Sequence, residues 1–184
     1  KNNFIPRWKS EWNMNKYSAI TIIAILIIIG PFAYSGLNII GAEQLQYKWN
    51  DSEEFSFFTM MNNGNIELCN PMPFSISFEE LQIGSFYNAK NIGTYEIMAT
   101  TIEPQSSVIT NGNFFTEEYQ STQRLFLTLD YEFDGGEIRV DPNKFIVIVS
   151  IHTPIAGIIP YSHDLQISGF ELDQIMKNQE LSCN

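Results

Sequence analysis

The sequence predicts an antiparallel β-sandwich preceded by one transmembrane helix, and three observations support that fold class. A run of 24 residues without a charged side chain, residues 17–40, lies near the amino terminus. After it, short segments rich in β-branched and aromatic residues follow one another, separated by turn residues. No helical period is sustained between these segments, so the helical crossovers that parallel sheets require are not expected.

The uncharged run is long enough to cross a lipid bilayer. At about 1.5 Å of rise per residue it gives roughly 36 Å of helix, against a hydrocarbon layer about 30 Å thick. We expect a membrane span over residues 17–41, kinked at Gly30 and Pro31 because proline removes one backbone hydrogen bond. A cleaved signal peptide is the rival interpretation, since residues 18–30 form an apolar core and Ala-Tyr-Ser at 33–35 has the small-x-small pattern of a cleavage site.

Basic residues before the span predict its orientation. Residues 1–16 carry four Lys or Arg and one Glu, whereas residues 42–184 carry six Lys or Arg and 20 Asp or Glu. Because Lys and Arg that flank a span favour the cytoplasmic side, we expect residues 1–16 in the cytoplasm and residues 42–184 outside the cell membrane. The sequence begins with Lys1 rather than Met, so we expect a few residues to precede it.

The external part is strongly acidic, with a net charge of about −14 from six basic and 20 acidic residues. Such a surface repels phosphate groups, so nucleic acid is excluded as an expected partner. The lipid bilayer and other membrane or envelope proteins are the partners that we expect. Solubility explains the acidity, and a site for a cation or a basic partner is the alternative.

Nine segments of the external part have strand character, and we expect seven or eight strands from them. In chain order they are EEFSFFTMM, IELCN, FSISF, LQIGSFY, YEIMATTI, TQRLFLTLDYEF, GEIRV, FIVIVSIHT and DLQISGFEL. Residues 145–151, FIVIVSI, are apolar on both faces and predict a central strand covered on each side. Asp-Gly-Gly at 134–136 predicts a hairpin turn, and residues 170–180 predict a short helix.

An Asn-Pro-Met-Pro stretch interrupts the first strands. Pro71 and Pro73 cannot donate to a strand ladder, so they must occupy an edge, a bulge or a bend. The residues around them, ELCNPMPFSISFEELQIGSFYNAKNIGTYEI followed by IEPQSSVIT, resemble the water-stress and hypersensitive-response domain of the second late-embryogenesis-abundant group. Asn70 and Pro71 match the Asn-Pro of that family, and IVSIHTPIAGIIPYSHDLQISG resembles its closing hairpin.

The resemblance covers residues 65–169, about three-fifths of the chain. It implies a sandwich of the fibronectin or immunoglobulin type, with a bend after the first strand at Asn70 and Pro71. Membrane-anchored versions with a single amino-terminal helix are familiar in that family. Pro73, the insertion NGNFFTEEYQSTQ and the segment EEFSFFTMMNNG depart from the family's pattern.

Two cysteines, Cys69 and Cys183, fall in the external part. An oxidising compartment permits a disulfide between them, which would close a loop of 113 residues. Two free or buried thiols are the alternative, because a pair of cysteines alone fixes no geometry, and both remain open here. Asn50 begins the sequon Asn-Asp-Ser and is a candidate glycosylation site.

We expect no catalytic residues, metal or cofactor. His152 and His163 on facing strands could hold a soft metal together with Cys183 or a methionine, but surface or core histidines are the favoured explanation. A copper site could be formed by Met60 and Met61 together with Met72 or Met98. Methionines in an apolar domain, however, usually fill gaps in the packing. Neighbouring acids such as Glu79 and Glu80 point to opposite faces of a strand and cannot act on one substrate together.

These observations favour a non-enzymatic binding or scaffolding module outside the membrane. The second hypothesis is an accessory, non-catalytic subunit of a multi-subunit membrane enzyme, and the third is a secreted-side enzyme or metal carrier. Gly30, Ala33, Gly36 and Gly41 give the outer half of the span small residues on which a partner helix could pack. That feature favours a partner within the membrane.

The orientation is tested by protease applied to intact cells. Because residues 42–184 are expected outside, cleavage should remove the chain beyond about Gln44 and spare the amino-terminal segment. Immunoblotting with tags at each end reads out both fragments. Protection of the acidic part would contradict the predicted orientation.

Overall fold

The computed structural model describes residues 16–183, so the predicted cytoplasmic segment lies outside the described residues except for Lys16. A long helix, α1 (Lys16–Glu43), precedes two antiparallel sheets that pack together. The predicted fold class, a β-sandwich behind one apolar helix, is confirmed. With a mean hydropathy of 2.2 and little buried surface over Tyr17–Glu43, α1 is long and apolar enough to cross a membrane. The helix continues through Pro31.

Eight strands and three further helices follow α1. The strands are β1 (Gln46–Trp49), β2 (Asn65–Asn70), β3 (Ile76–Tyr87), β4 (Lys90–Ile102), β5 (Ser106–Asn111), β6 (Asn113–Phe115), β7 (Phe145–Ile155) and β8 (Ile159–Ser168). The helices are α2 (Phe57–Met60), α3 (Tyr119–Phe133) and α4 (Gly169–Asn178). One sheet has the order β1-β2-β5 and the other β6-β4-β3-β7-β8.

The core lies between the sheets and the helices that cover them. Phe57 of α2 is fully buried and meets the ring of Phe145 at 4.8 Å and that of Phe126 at 5.5 Å between centroids. Strand β7 lies inside its sheet as predicted, between β3 and β8. Its alternate residues, such as Val147, are buried, but the residues between them are only half-buried. One face of β7 therefore packs on the core, rather than both faces as the sequence predicts.

Asn70 explains the bend at the Asn-Pro stretch. Its side chain is fully buried, and its amide nitrogen lies 2.8 Å from the carbonyl oxygen of Phe74 and 3.0 Å from that of Glu103. Its amide oxygen accepts the backbone N–H of Met72 at 2.9 Å. One side chain thus satisfies the backbone groups that the two prolines leave without a ladder partner. The bend ends β2 and sends the chain to β3 in the other sheet.

The segment TQRLFLTLDYEF, predicted as a strand, is part of α3. Leu125, Leu127 and Leu129 alternate as in a strand, but Leu127 is 49% exposed while Phe126 and Leu129 are buried. The buried face therefore follows helical spacing. The predicted Asp-Gly-Gly hairpin turn is also wrong, because these residues end α3: Gly135 has a φ of +91° and Gly136 donates to the carbonyl of Tyr131 at 2.9 Å.

Two further predicted strands, in EEFSFFTMM and GEIRV, are absent from the described fold. In EEFSFFTMM the chain forms the short helix α2, which Ser56 caps. The two carboxylate oxygens of Asp130 accept hydrogen bonds from the first turn of α2, one from the N–H of Phe57 at 2.8 Å and one from the N–H of Phe58 at 3.0 Å. Burial raises the pKa of Asp130 to about 6. In GEIRV, Ile138 is exposed and the Glu132 carboxylate accepts the N–H of Val140 instead of a strand partner.

Other predictions for the external part are confirmed or refined. The last three residues of FSISF and all of LQIGSFY belong to one strand, β3. The predicted helical run is α4, which Ser168 caps by accepting the N–H of Glu171 at 3.1 Å. The carboxy-terminal tail then returns to β2, where Cys183 is bonded to Cys69. The disulfide that the sequence left open therefore ties the tail to the smaller sheet.

We expect opposite responses at two positions of the sandwich. Val147→Asp places a charge in the core and should cost several kcal/mol, on the order of an unpaired buried charge. Pro71→Ala should lower the free energy of unfolding by less than about 1.5 kcal/mol, because the bend needs no backbone hydrogen bond from residue 71. Denaturant unfolding of the two variants measures both effects, and equal losses would show that the core is misplaced.

Candidate functional site at the helix–sandwich junction

The carboxy-terminal end of α1 packs against the sandwich. Most of its side chains from Tyr17 to Tyr34 are exposed, whereas Ser35 and Asn38 are only 5% and 6% exposed and Ala42 is 3% exposed. These buried positions face the larger sheet, at the ends of β3 and β7. We call this contact the junction; it comprises Ser35, Asn38 and Gly41 of α1 with Ser77, Thr153 and Ala156 of the sandwich.

Asn38 closes the open end of the β3–β7 ladder. The last paired residues of that ladder are Glu80 and His152, so Ser77 has no β7 partner. The Asn38 amide replaces it: Oδ1 accepts the Ser77 N–H at 2.7 Å, and Nδ2 donates to the Ser77 carbonyl at 2.6 Å. Nδ2 also donates to Thr153 Oγ1 at 2.7 Å. A helix side chain thus pairs both backbone groups of a strand residue, as a neighbouring strand would.

Ser35 joins the same helix face to the turn between β7 and β8. Its hydroxyl donates to the carbonyl of Pro31 one turn earlier, at 2.9 Å, and accepts the backbone N–H of Ala156 at 2.6 Å. Ala156 has a φ of +52°, so this N–H belongs to a tight turn and would otherwise lack a partner. Both hydrogen bonds lie in a part of α1 that is otherwise apolar, where unpaired polar groups are costly.

Close packing completes the junction above Asn38. A Cβ added at Gly41 would lie 2.6 Å from Cγ1 of Ile76, so only glycine lets the helix approach β3 this closely. At the end of α1, a Glu43 carboxylate oxygen lies 3.7 Å from Nδ1 of His163 on β8. The helix therefore contacts β3, β7 and the edge strand β8 within its last three turns. Only residues 44 and 45 separate α1 from β1, so no flexible linker intervenes.

A cleft of about 320 Å³ opens on the membrane side of the junction. Pro31 and Tyr34 line it from α1, and Phe78 and Pro154 line it from the sandwich, with Asn38 at its inner end. Its walls are largely apolar. A second cleft of about 700 Å³ lies at the opposite end of the sandwich, between the start of β4 and α3.

The second cleft is more polar. Its rim carries an ion pair between the Lys90 ammonium and the Glu118 carboxylate at 2.8 Å, and this hydrogen bond raises the pKa of Lys90 and lowers that of Glu118. Both side chains are more than half exposed, so the pair contributes little to stability. Its lining includes Glu117, Thr116 and Leu125. Ser121 also lines the cleft and is hydrogen-bonded to the Glu118 carboxylate, and no histidine or cysteine is among the lining residues.

The structure separates the small residues predicted for helix packing. Gly30 and Gly36 have open space beside them and Ala33 is exposed, so these three are free to meet another helix. Gly41 instead packs on Ile76 of its own sandwich. The junction therefore occupies the face of Gly41, and packing of a partner helix on the other three residues stays a prediction.

The two histidines cannot share a metal ion. In the β7–β8 ladder His152 lies opposite Ser162 and His163 lies opposite Ile151, so their side chains point to opposite faces of the sheet. Cys183 is bonded to Cys69 and is not a free ligand. Among residues 16–183, no three His, Cys, Asp or Glu side chains gather as a metal site.

The remaining candidates are dispersed. Met60 and Met61 are buried in the core, whereas Met98 is 67% exposed on β4. Asn50 is half-buried, and its amide nitrogen donates to a Glu67 carboxylate oxygen at 2.9 Å, so glycan attachment there would break that hydrogen bond. Glycosylation of Asn50 stays a prediction.

Comparison with protein-family models finds no match to this chain, and comparison with curated proteins finds none. The resemblance to the water-stress and hypersensitive-response domain stays an expectation from the residues around Asn70.

Sequence reasoning missed Ser35 and Asn38, although a signal was present. Both are hydrogen-bonding residues in an apolar helix, and they stand three positions apart, so they lie on one helix face. Polar residues at such positions commonly face protein rather than lipid. The spacing indicates a packed face, but not the strand that it meets.

Asn38→Leu tests the junction, since leucine keeps the branched shape of asparagine and removes the amide. The Ser77 N–H then loses its partner, while the Ser77 carbonyl keeps the Thr153 hydroxyl at 3.3 Å. We expect local stability at the start of β3 to fall by about 1 to 3 kcal/mol, the cost of one unpaired buried backbone group. Amide hydrogen exchange of peptides covering residues 76–78, in detergent, should speed up roughly 5- to 150-fold.

Thr21→Val is the matched control for this variant. Thr21 donates its hydroxyl proton to the Tyr17 carbonyl at 2.9 Å in the exposed part of the same helix, far from the junction. Its replacement should leave exchange at residues 76–78 unchanged. Equal exchange rates in the two variants would contradict the role assigned to Asn38.

Proposed function

We propose that this chain is a single-pass membrane protein whose external sandwich is a non-enzymatic binding or scaffolding module, held at a fixed height and angle above the bilayer. The observation that supports it most is the pairing of Asn38 with Ser77 at 2.6 and 2.7 Å. A hydrogen-bonded junction is costly for a tethered domain that needs only to stay nearby. It suits a domain that must present one surface in one orientation.

The chemistry of the described side chains supports a non-enzymatic role. His152 and His163 face opposite sides of the sheet, and no histidine or cysteine lines the polar cleft near Lys90. Both carboxylate oxygens of the buried Asp130 accept hydrogen bonds from backbone N–H groups of α2. Asp130, whose pKa burial raises to about 6, thus has a structural role.

The partner that fits this surface is a membrane or envelope protein with a basic face. Residues 42–184 carry a net charge of about −14, and the sandwich stands directly on the helix. Complementary charge speeds association and excludes acidic partners, while a fixed orientation lowers the entropy cost of binding. Nucleic acid is disfavoured by the same charge.

A second candidate function is an accessory subunit of a multi-subunit membrane enzyme. It is favoured by the open space beside Gly30 and Gly36, because small residues let another helix approach α1 closely. In that case the sandwich would cap the neighbouring subunits, and recognition would lie within the bilayer. The two functions differ in which surface meets the partner.

Gly36→Leu separates the two functions in a gentle-detergent pull-down followed by protein identification. Leucine at this position fills the open space without touching the junction, so the sandwich should unfold at the same denaturant concentration as before. Ile29→Leu, at an exposed position of the same helix, is the control for changed helix surface. Gly41→Leu is unsuitable, since it would displace Ile76.

The binding module predicts that partners survive Gly36→Leu and dissociate when salt is raised from about 0.1 M to about 1 M, which screens exposed charges. The accessory subunit predicts loss of the partner in Gly36→Leu and retention in Ile29→Leu. A wild-type chain that purifies alone and hydrolyses a small ester or binds copper stoichiometrically would overturn both.

A further inference from the structure

The turn between β7 and β8 is the most exposed apolar feature of the sandwich. Ile158 is 83% exposed and Ile159 52% exposed, at the tip of a hairpin that comprises residues 155–159. Residues 145–163 contain no Asp, Glu, Lys or Arg, in a domain that is otherwise strongly acidic. An exposed apolar tip without charge is a liability in water and marks a contact with something apolar.

The hairpin points along α1 toward its membrane end. Thr153 of β7 contacts Asn38, and Ala156, three residues nearer the tip, contacts Ser35, three residues nearer the membrane. The strand therefore descends beside the helix as it approaches its turn. Gly157 continues that descent, since it lines the same cleft as Pro31.

Helix geometry gives the height of the bilayer at this point. A hydrocarbon layer about 30 Å thick takes about 20 residues of helix at about 1.5 Å each. Counted from Tyr17, which follows the last basic residue before the span, 20 residues end at Gly36. The outer hydrocarbon boundary thus falls at the level of Ser35 and of its partner Ala156, and Ile158 lies at or below it.

We propose that the β7–β8 hairpin tip, residues 155–159, is a second membrane contact that enters the outer leaflet of the lipid bilayer beside α1. The occupant of this surface is lipid, because the exposed isoleucines continue the exposed apolar surface of α1 at the same height. The proposal rests on α1 crossing the membrane.

The surrounding residues limit the depth of insertion. Glu79 borders the cleft beside Thr153. Thr153 lies three strand residues from Ala156, so Glu79 stands on the order of 10 Å above the level of Ala156. An exposed carboxylate at that height lies among headgroups or in water. Tyr34 of α1 is 57% exposed at the predicted boundary, where aromatic side chains with a polar end are favoured. The tip therefore inserts shallowly, with its two isoleucines in the upper acyl region.

The test is spin-label accessibility on the full chain in phosphatidylcholine vesicles. A nitroxide is attached at Ile158→Cys, and the collision rates with oxygen, which concentrates in lipid, and with a water-soluble nickel chelate are compared. Cys69 and Cys183 are bonded to each other and do not react with the label. Ile27→Cys, at a 69% exposed position within the span, is the lipid reference.

Ile138→Cys is the matched aqueous control, because Ile138 is 72% exposed and precedes the far end of β7. We expect the oxygen-to-nickel ratio at residue 158 to lie several-fold above that at residue 138 and below that at residue 27, because residue 158 inserts only shallowly. Equal ratios at 158 and 138, with residue 27 in lipid, would overturn the hairpin contact alone. A water-accessible residue 27 would overturn the membrane span and the hairpin contact together.

Discussion

The hydrogen bonds between the Asn38 amide and the backbone of Ser77 are the interaction on which the arrangement of this molecule depends. They place a helix side chain where the β3–β7 ladder ends, so that the apolar helix and the sandwich share one continuous hydrogen-bonded structure. Ser35 and Gly41 extend that contact by one turn on either side. Without the amide, the backbone N–H of Ser77 would have no partner, and its carbonyl would keep only the Thr153 hydroxyl at 3.3 Å.

This constraint links the fold to the membrane. Because only residues 44 and 45 separate α1 from β1, the height of the sandwich follows from the length of the span. In the proposed topology the acidic surface faces the exterior at a set distance, and the uncharged β7–β8 turn faces the bilayer. The disulfide between Cys69 and Cys183 ties the carboxy-terminal tail to the smaller sheet, as the junction ties α1 to the larger sheet.

The sequence predicted what local patterns determine. IELCN and FIVIVSIHT have the length and composition of strands, and the uncharged run has the length of a long helix; each forms the element that was expected. Residues 122–133 were misassigned because Leu125, Leu127 and Leu129 alternate as strand residues do, while burial of Phe126 follows the period of a helix. The helix is decided by tertiary packing on Phe57, which no local pattern shows. Asn38 is still harder to predict, because its partner lies 39 residues away.

The claim that helix and sandwich form one rigid body is tested most directly by a distance between them. Nitroxide labels at Ile20→Cys on α1 and Met98→Cys on β4, both at exposed positions, report that distance by pulsed electron resonance in phosphatidylcholine vesicles. A junction held by Asn38 predicts one narrow distance distribution in the otherwise unchanged chain and a broad one when Asn38→Leu is added. A broad distribution with Asn38 present would contradict the rigid junction.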